Sequence, residues 1–112
     1  MTVRSQVLLW TAQRATAAIL AVCVIVHLVT VIYAVRNGLS AAEILGRTRG
    51  STGWAAFYFL FVAAIAVHAP IGLRTVLTET VNWRGAGLDI TAALIGAALA
   101  LWGFRAVYAV LV

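Results

Sequence analysis

With 112 residues the chain is long enough for one domain only. Its composition, 64% hydrophobic and 10% charged with a mean hydropathy of +1.06, excludes a water-soluble globular protein. The net charge of +5 does not indicate nucleic-acid binding, because all eight basic residues are arginines near the ends of apolar segments, where arginine anchors helices or contacts lipid. Three apolar segments, residues 7–35, 54–73 and 90–112, are each near or above the roughly 20 residues that span a bilayer. We therefore expect one transmembrane domain over residues 1–112.

The first apolar segment predicts a transmembrane helix over about residues 7–36, with Arg14 about two turns inside it. An interfacial aromatic residue, Tyr33, and a terminal cation, Arg36, mark its end. The segment is too long for the hydrophobic region of a signal peptide, and no small-residue cleavage site follows it, so we expect it to be retained. Cys23 lies in mid-span without a second cysteine, which excludes a disulfide within the chain.

The stretch after the first helix has the pattern of a capping box, with Ser40 followed three residues later by Glu43. This pattern predicts a short surface helix over about residues 41–47. A second transmembrane helix is predicted over about residues 52–80. The single proline of the chain, Pro70, lies inside that helix and has no backbone N–H, so it predicts a kink there.

The last apolar segment predicts a third transmembrane helix over about residues 89–112, with Asp89 as its N-cap. Ala92, Gly96 and Ala100 recur on it at four-residue spacing, a pattern of small residues that lets another helix approach closely. The predicted fold class is therefore an all-α integral membrane protein with three transmembrane helices and one short surface helix.

A histidine in an apolar run is the most informative feature of the sequence. His68 follows a stretch without charged residues, and Arg74 stands where the apolar run ends. Ionisable side chains at membrane depth are costly and usually have a partner or a task. A metal cofactor, a proton path and a hydrogen bond to a neighbouring helix all remain open for His68 at this point.

The second histidine, His27, lies at a different depth. In a three-helix hairpin the start of the first helix and the end of the second are on the same side, so Arg14 and Arg74 have similar depths. His27 is then about 20 Å deeper than Arg14, whereas His68 is only about 9 Å deeper than Arg74. If both histidines ligate haem iron, each belongs to a different haem, and another chain supplies the opposite ligands.

The two arginines suit haem propionates, because guanidinium binds carboxylates bidentately, and lipid phosphates equally well. Gly72, one turn after His68, leaves room for a flat ligand.

Two elements carry a resemblance to a known family. The first helix reads Q-R-A-T-A over residues 13–17, and the second reads H-x-x-x-G-x-R from His68 to Arg74, followed by Glu79. The chain thereby resembles the cytochrome b membrane-anchor subunits of succinate dehydrogenase and fumarate reductase, which carry H-R-x-[ST]-G and H-x-x-x-G-[IL]-R with an acidic residue after it. The likeness covers all three helices in length and order. Gln13 stands where the family has its first histidine.

The resemblance implies roles for individual residues. His68 would be an axial ligand of haem b, and Arg14 and Arg74 would lie near its propionates or near quinone, with Gly72 beside the ring. His27 occupies the place of the additional histidine that ligates the more distant haem in two-haem members. Single-haem members have a serine where this chain has Trp10. The candidates for the quinone site are Trp10, Thr11, Arg14 and Glu79.

The resemblance also implies a function. The chain would be a subunit that is not itself catalytic and relays electrons between an iron–sulfur subunit and membrane quinone. Its partners would be a flavoprotein subunit, the iron–sulfur subunit and a second membrane-anchor chain, homologous or identical, with which it shares two haems b. Its location would be the bacterial cytoplasmic (inner) membrane, with the N-terminus in the cytoplasm. The alternative is a haem-free helix-bundle subunit for assembly or transport, in which the histidines are structural.

Overall fold

A computed structural model describes residues 2–112, and these residues form α-helices joined by short turns without any strand. The helices are α1 (Val3–Arg36), α2 (Ala41–Thr48), α3 (Thr52–Val81) and α4 (Ala86–Leu111). By length and hydropathy α1, α3 and α4 can each cross a membrane. The predicted all-helical fold with three transmembrane helices and one short helix is therefore confirmed, and the chain is a multi-pass membrane protein.

The central helix is α3, which packs against α1 on one side and α4 on the other. Both neighbours run antiparallel to α3. Residues closer to the C-terminus of α1 or of α4 contact residues closer to the N-terminus of α3. The outer faces of the helices remain apolar, and Ile25 and Leu94 are each more than 60% exposed. Since water is a poor solvent for such faces, they are suited to contact with lipid or with other membrane chains.

The predicted small-residue stripe forms the contact between α3 and α4. Ala92 and Gly96 are buried, and a Cβ atom placed on Gly96 would lie 3.0 Å from Cγ of Pro70 and 3.3 Å from the carbonyl oxygen of Ala66. Pro70 has no N–H to donate to that carbonyl. The absence of a side chain at position 96 therefore lets α4 pass directly over the point where the proline interrupts the hydrogen bonding of α3.

The N-termini of α1 and α4 differ from the sequence-based bounds. Helix α1 begins at Val3 rather than near residue 7, because the Thr2 side chain accepts a hydrogen bond from the Ser5 N–H and caps the helix there. The prediction that Asp89 is the N-cap of the last helix is wrong. Helix α4 begins at Ala86 after Gly85, whose φ of 98° turns the chain, and Asp89 lies in the first turn instead.

The short helix α2 has the predicted capping box, in which Ser40 and Glu43 bond to each other's backbone N–H groups. The helix ends at Thr48, one residue later than predicted. The Thr48 hydroxyl is buried and donates a 2.6 Å hydrogen bond to the carbonyl of Val110. The N–H of Gly50 donates to the carbonyl of Leu111. These two bonds attach α2 to the C-terminal end of α4.

Candidate functional site

His68 on α3 contacts α1 through a single polar side chain. Its Nδ1 atom lies 3.2 Å from the hydroxyl oxygen of Thr16. The same hydroxyl lies 2.7 Å from the carbonyl oxygen of Ala12 and 3.2 Å from that of Gln13, both on its own helix. Since all of these groups are partly buried, the contact is a hydrogen bond between two transmembrane helices in an apolar environment.

A cavity of about 370 Å³ lies between α1 and α3 on the side of His68 that leads to Arg74. We call it the arginine cavity; its polar lining includes Gln13, Arg14 and Arg74, with the Trp10 ring at its edge. The guanidinium carbon of Arg14 lies 5.4 Å from the centre of the Trp10 ring, a cation–π contact. The cavity thus presents two positive charges next to an apolar ring, an arrangement that suits an anionic or carbonyl-bearing flat ligand.

Arg74 is held by an ion pair with α4. Its Nε atom donates a 2.7 Å hydrogen bond to Oδ1 of Asp89, and the two side chains are 33% and 56% exposed. The bond uses Nε, so the two terminal nitrogens of the guanidinium are available to a second anion. Asp89 therefore holds the guanidinium of Arg74, which also lines the arginine cavity, and this ion pair was not predicted from the sequence.

Gly72 faces Gln13 across the gap between α3 and α1. A Cβ atom on Gly72 would lie 3.1 Å from Nε2 of Gln13, so the amide of Gln13 takes the space beside the glycine. The Oε1 atom of Gln13 is buried, and it has no hydrogen-bond partner within the described residues. Buried carbonyl oxygens normally accept a hydrogen bond, so this atom can receive one from a ligand in the arginine cavity.

His27 lies further along α1, among aromatic side chains of α3. Its ring makes edge contacts with Tyr58 and Phe61 at centroid distances of 6.0 and 5.6 Å. Its Nδ1 atom is buried and, within residues 2–112, has no hydrogen-bond partner. A second cavity of about 410 Å³ extends from His27 towards Tyr33 and Arg47, whose guanidinium lies 5.5 Å from the centre of the Tyr33 ring.

The contacts of the two histidines give their separation along the helices. His68 is level with Thr16, and His27 is eleven residues beyond Thr16 on α1, which corresponds to about 16 Å. On α3, the partners of His27 lie seven to ten residues before His68, or about 10–15 Å. Two axial ligands of one haem iron must lie on opposite faces of the same ring, so these histidines cannot serve one haem together.

The predicted site residues fall into two groups. Trp10, Arg14 and Arg74 meet at the arginine cavity, whose nearest lining residue to His68 on α3 is Ile71, one turn away. Thr11 and Glu79 do not line it: the Thr11 hydroxyl donates to the carbonyl of Val7 on its own helix, and Glu79 is exposed near the end of α3.

Metal ligands are sparse in the described part of the chain, where no group of three or more His, Cys, Asp or Glu side chains could hold a metal ion. A haem iron is different, because the porphyrin supplies four of its ligands and a single side chain is needed on each face. His68 and His27 can each supply one such side chain. The imidazole of His68 is in addition held by its hydrogen bond to Thr16.

The family model for the succinate dehydrogenase/fumarate reductase transmembrane subunit matches residues 1–111. No curated protein and no solved structure gave a significant match.

Proposed function

Because this chain belongs to the family of succinate dehydrogenase/fumarate reductase transmembrane subunits, we propose that it is a haem b-carrying membrane anchor that relays electrons between an iron–sulfur subunit and quinone. The observation that carries the proposal is the position of His68. Its imidazole is hydrogen-bonded through Nδ1 to Thr16 on the neighbouring helix, and the arginine cavity begins three residues away on both helices, at Gln13 and Ile71. A structural histidine would explain the hydrogen bond alone, whereas a haem would also use the two arginines as cations for its propionates.

The residue types around His68 suit a haem, and the Gln13 amide would have to leave the space beside Gly72 to admit the ring. His68 would bind the iron through Nε2, since Nδ1 is engaged by Thr16. Arg14 and Arg74 would bind the propionates, because guanidinium groups form bidentate hydrogen bonds with carboxylates. When bound, haem b supplies a one-electron carrier within the membrane. His68 would hold it, Arg14 and Arg74 would neutralise its carboxylates, and the apolar helices would exclude water.

A second membrane chain would complete the site. His27 is too far from His68 for the two to hold the same haem, so a further residue that holds it would come from another chain. We assign His27 to a second haem, shared in the same way and about 16 Å further along α1. The apolar outer faces of the helices are the surfaces on which such a chain, homologous or identical, would pack.

Quinone would bind at the arginine cavity. Trp10 supplies an apolar ring for stacking, and Arg14 and the amide of Gln13 supply polar contacts for a carbonyl or hydroxyl group. Glu79, exposed near the same end of α3, would exchange protons with the aqueous phase. Thr11 would take part only if a partner chain extends the cavity along α1, because its own hydroxyl is bonded to Val7.

The flavoprotein and iron–sulfur subunits would bind on the side of the membrane where α1 begins and α3 ends, because the arginine cavity lies near that side. In a bacterial cell this would be the cytoplasmic face of the inner membrane, with the N-terminus in the cytoplasm.

The test is haem content in the purified complex. A reduced-minus-oxidised spectrum with a pyridine haemochrome assay, normalised per copy of this chain, is expected to give one haem per chain in a complex with two such chains. His68→Ala should remove one haem component, and His27→Ala the other. The matched control is Thr91→Val, because Thr91 lies on α4 and its hydroxyl bonds to the carbonyl of Gly87 on its own helix. A wild-type complex without a Soret band would refute the proposal and favour a haem-free assembly or transport subunit.

A further inference from the structure

The hydroxyl of Thr16 has a single proton, and its surroundings direct that proton away from His68. The shortest contact of the hydroxyl is the 2.7 Å bond to the Ala12 carbonyl, four residues earlier on α1. Carbonyl oxygens only accept hydrogen bonds, so Thr16 must be the donor in this pair. This is the usual arrangement for threonine inside a helix. The lone pairs of the hydroxyl oxygen then face Nδ1 of His68 at 3.2 Å.

We propose that Thr16 is a positioning residue that fixes the tautomer and the ring orientation of His68. With its proton committed to Ala12, Thr16 can only accept from His68, so the single N–H of the neutral imidazole is on Nδ1. The other nitrogen, Nε2, then carries the lone pair that a haem iron requires. This inference rests on the proposed function for its consequence, but the tautomer itself is a property of the chain without haem.

His27 provides an internal comparison, because its environment lacks this feature. Its Nδ1 atom is buried among Tyr58 and Phe61 and has no hydrogen-bond partner in the described part of the chain. A ligand imidazole that donates its other N–H to an acceptor is more basic and is held in one orientation. The chain therefore presents two imidazoles of different ligand strength, and only the one at His68 is set by Thr16.

Stronger donation by the imidazole favours the oxidised iron and lowers the reduction potential of its haem. Thr16→Val keeps the shape of the side chain and removes the acceptor. Thr16→Ser keeps the hydroxyl. We expect Thr16→Val to raise the reduction potential of one haem component. A tenfold smaller preference for the oxidised iron corresponds to a rise of about 59 mV for a one-electron couple. Thr16→Ser should return the wild-type value.

The control for the loss of a threonine side-chain bond is Thr91→Val. Thr91 makes the same bond to the carbonyl four residues earlier, at 2.7 Å, and has no hydrogen bond to either histidine within the described residues. In redox titrations of the holo-complex, Thr91→Val should leave the reduction potentials of both haems at their wild-type values. Thr16→Val should leave the potential of the second haem at its wild-type value. An equal potential in Thr16→Val and Thr16→Ser would overturn the proposal, as would a parallel shift of both haems.

A second measurement needs neither a variant nor a haem. The ¹⁵N spectrum of the imidazoles in the haem-free full chain, labelled at histidine, reports which nitrogen carries the proton. We expect Nδ1–H for His68, and a wild-type signal of Nε2–H would refute the inference even if the complex contains haem. Conversely, a complex without haem in which His68 is Nδ1–H would refute the proposed function and leave the role of Thr16 in the tautomer intact.

Discussion

The contact between α3 and α4 allows a sharp test of the fold around His68. In Gly96→Ala the added methyl group would lie 3.0 Å from the Pro70 ring and 3.3 Å from the Ala66 carbonyl oxygen. Both distances are shorter than ordinary van der Waals contacts, and both partners belong to the central helix, so α4 must move or the proline must shift. Overpacking of this kind costs about 1–3 kcal/mol in the free energy of unfolding.

The same substitution also has a stabilising effect, through the helix propensity of alanine. Alanine is more favourable than glycine inside a helix by about 0.5–1 kcal/mol. Gly46→Ala on the exposed helix α2 shows this gain alone, because nothing lies within 4 Å of a Cβ atom placed there. The difference in unfolding free energy between the two variants is therefore the packing cost, and Gly96→Ala should be less stable than Gly46→Ala by about 1–3 kcal/mol.

The assay is reversible unfolding in mixed detergent micelles, followed by the fluorescence of the four tryptophans. The haem content of the purified complex should fall in Gly96→Ala and not in Gly46→Ala, because Pro70 is two residues from His68. If both substitutions stabilise the chain equally, α4 lies further from Pro70 than the 3.0 Å between a Cβ atom at position 96 and Cγ of Pro70.

Three further changes test individual contacts. Asp89→Asn breaks the ion pair with Arg74. Since both partners are substantially exposed, we expect a loss of less than about 1 kcal/mol in unfolding free energy, and a smaller loss in high salt. A larger loss would contradict the exposed geometry. Thr48→Val removes the buried hydrogen bond to Val110 and should lower the free energy of unfolding by about 1 kcal/mol. Amide hydrogen exchange should become faster only in α2 and the adjoining turn, and unchanged exchange would show that this bond does not hold α2. Arg14→Lys loses bidentate binding and should weaken quinone or haem retention in the purified complex while leaving the helix content unchanged by circular dichroism.

The sequence by itself predicted the elements of this protein and their order. Hydropathy is a sum over neighbouring residues, so the three spans follow from local composition without knowledge of the packing. The capping box at Ser40 and Glu43 is equally local, since each side chain bonds to the backbone three residues away. The small-residue stripe on α4 also indicated a close helix contact, although not that it would meet Pro70 on α3.

The tertiary structure decided which side chains meet. Transmembrane helices are apolar on all sides, so no polar stripe tells which face of α1 turns towards α3, and the rotation of each helix is set by packing. The pairing of Thr16 with His68, the ion pair between Arg74 and Asp89, and the position of Gln13 beside Gly72 all depend on that rotation. Asp89 was assigned to a helix cap for the same reason: a carboxylate near a helix start suits either role, and only the approach of Arg74 from the neighbouring helix selects the ion pair.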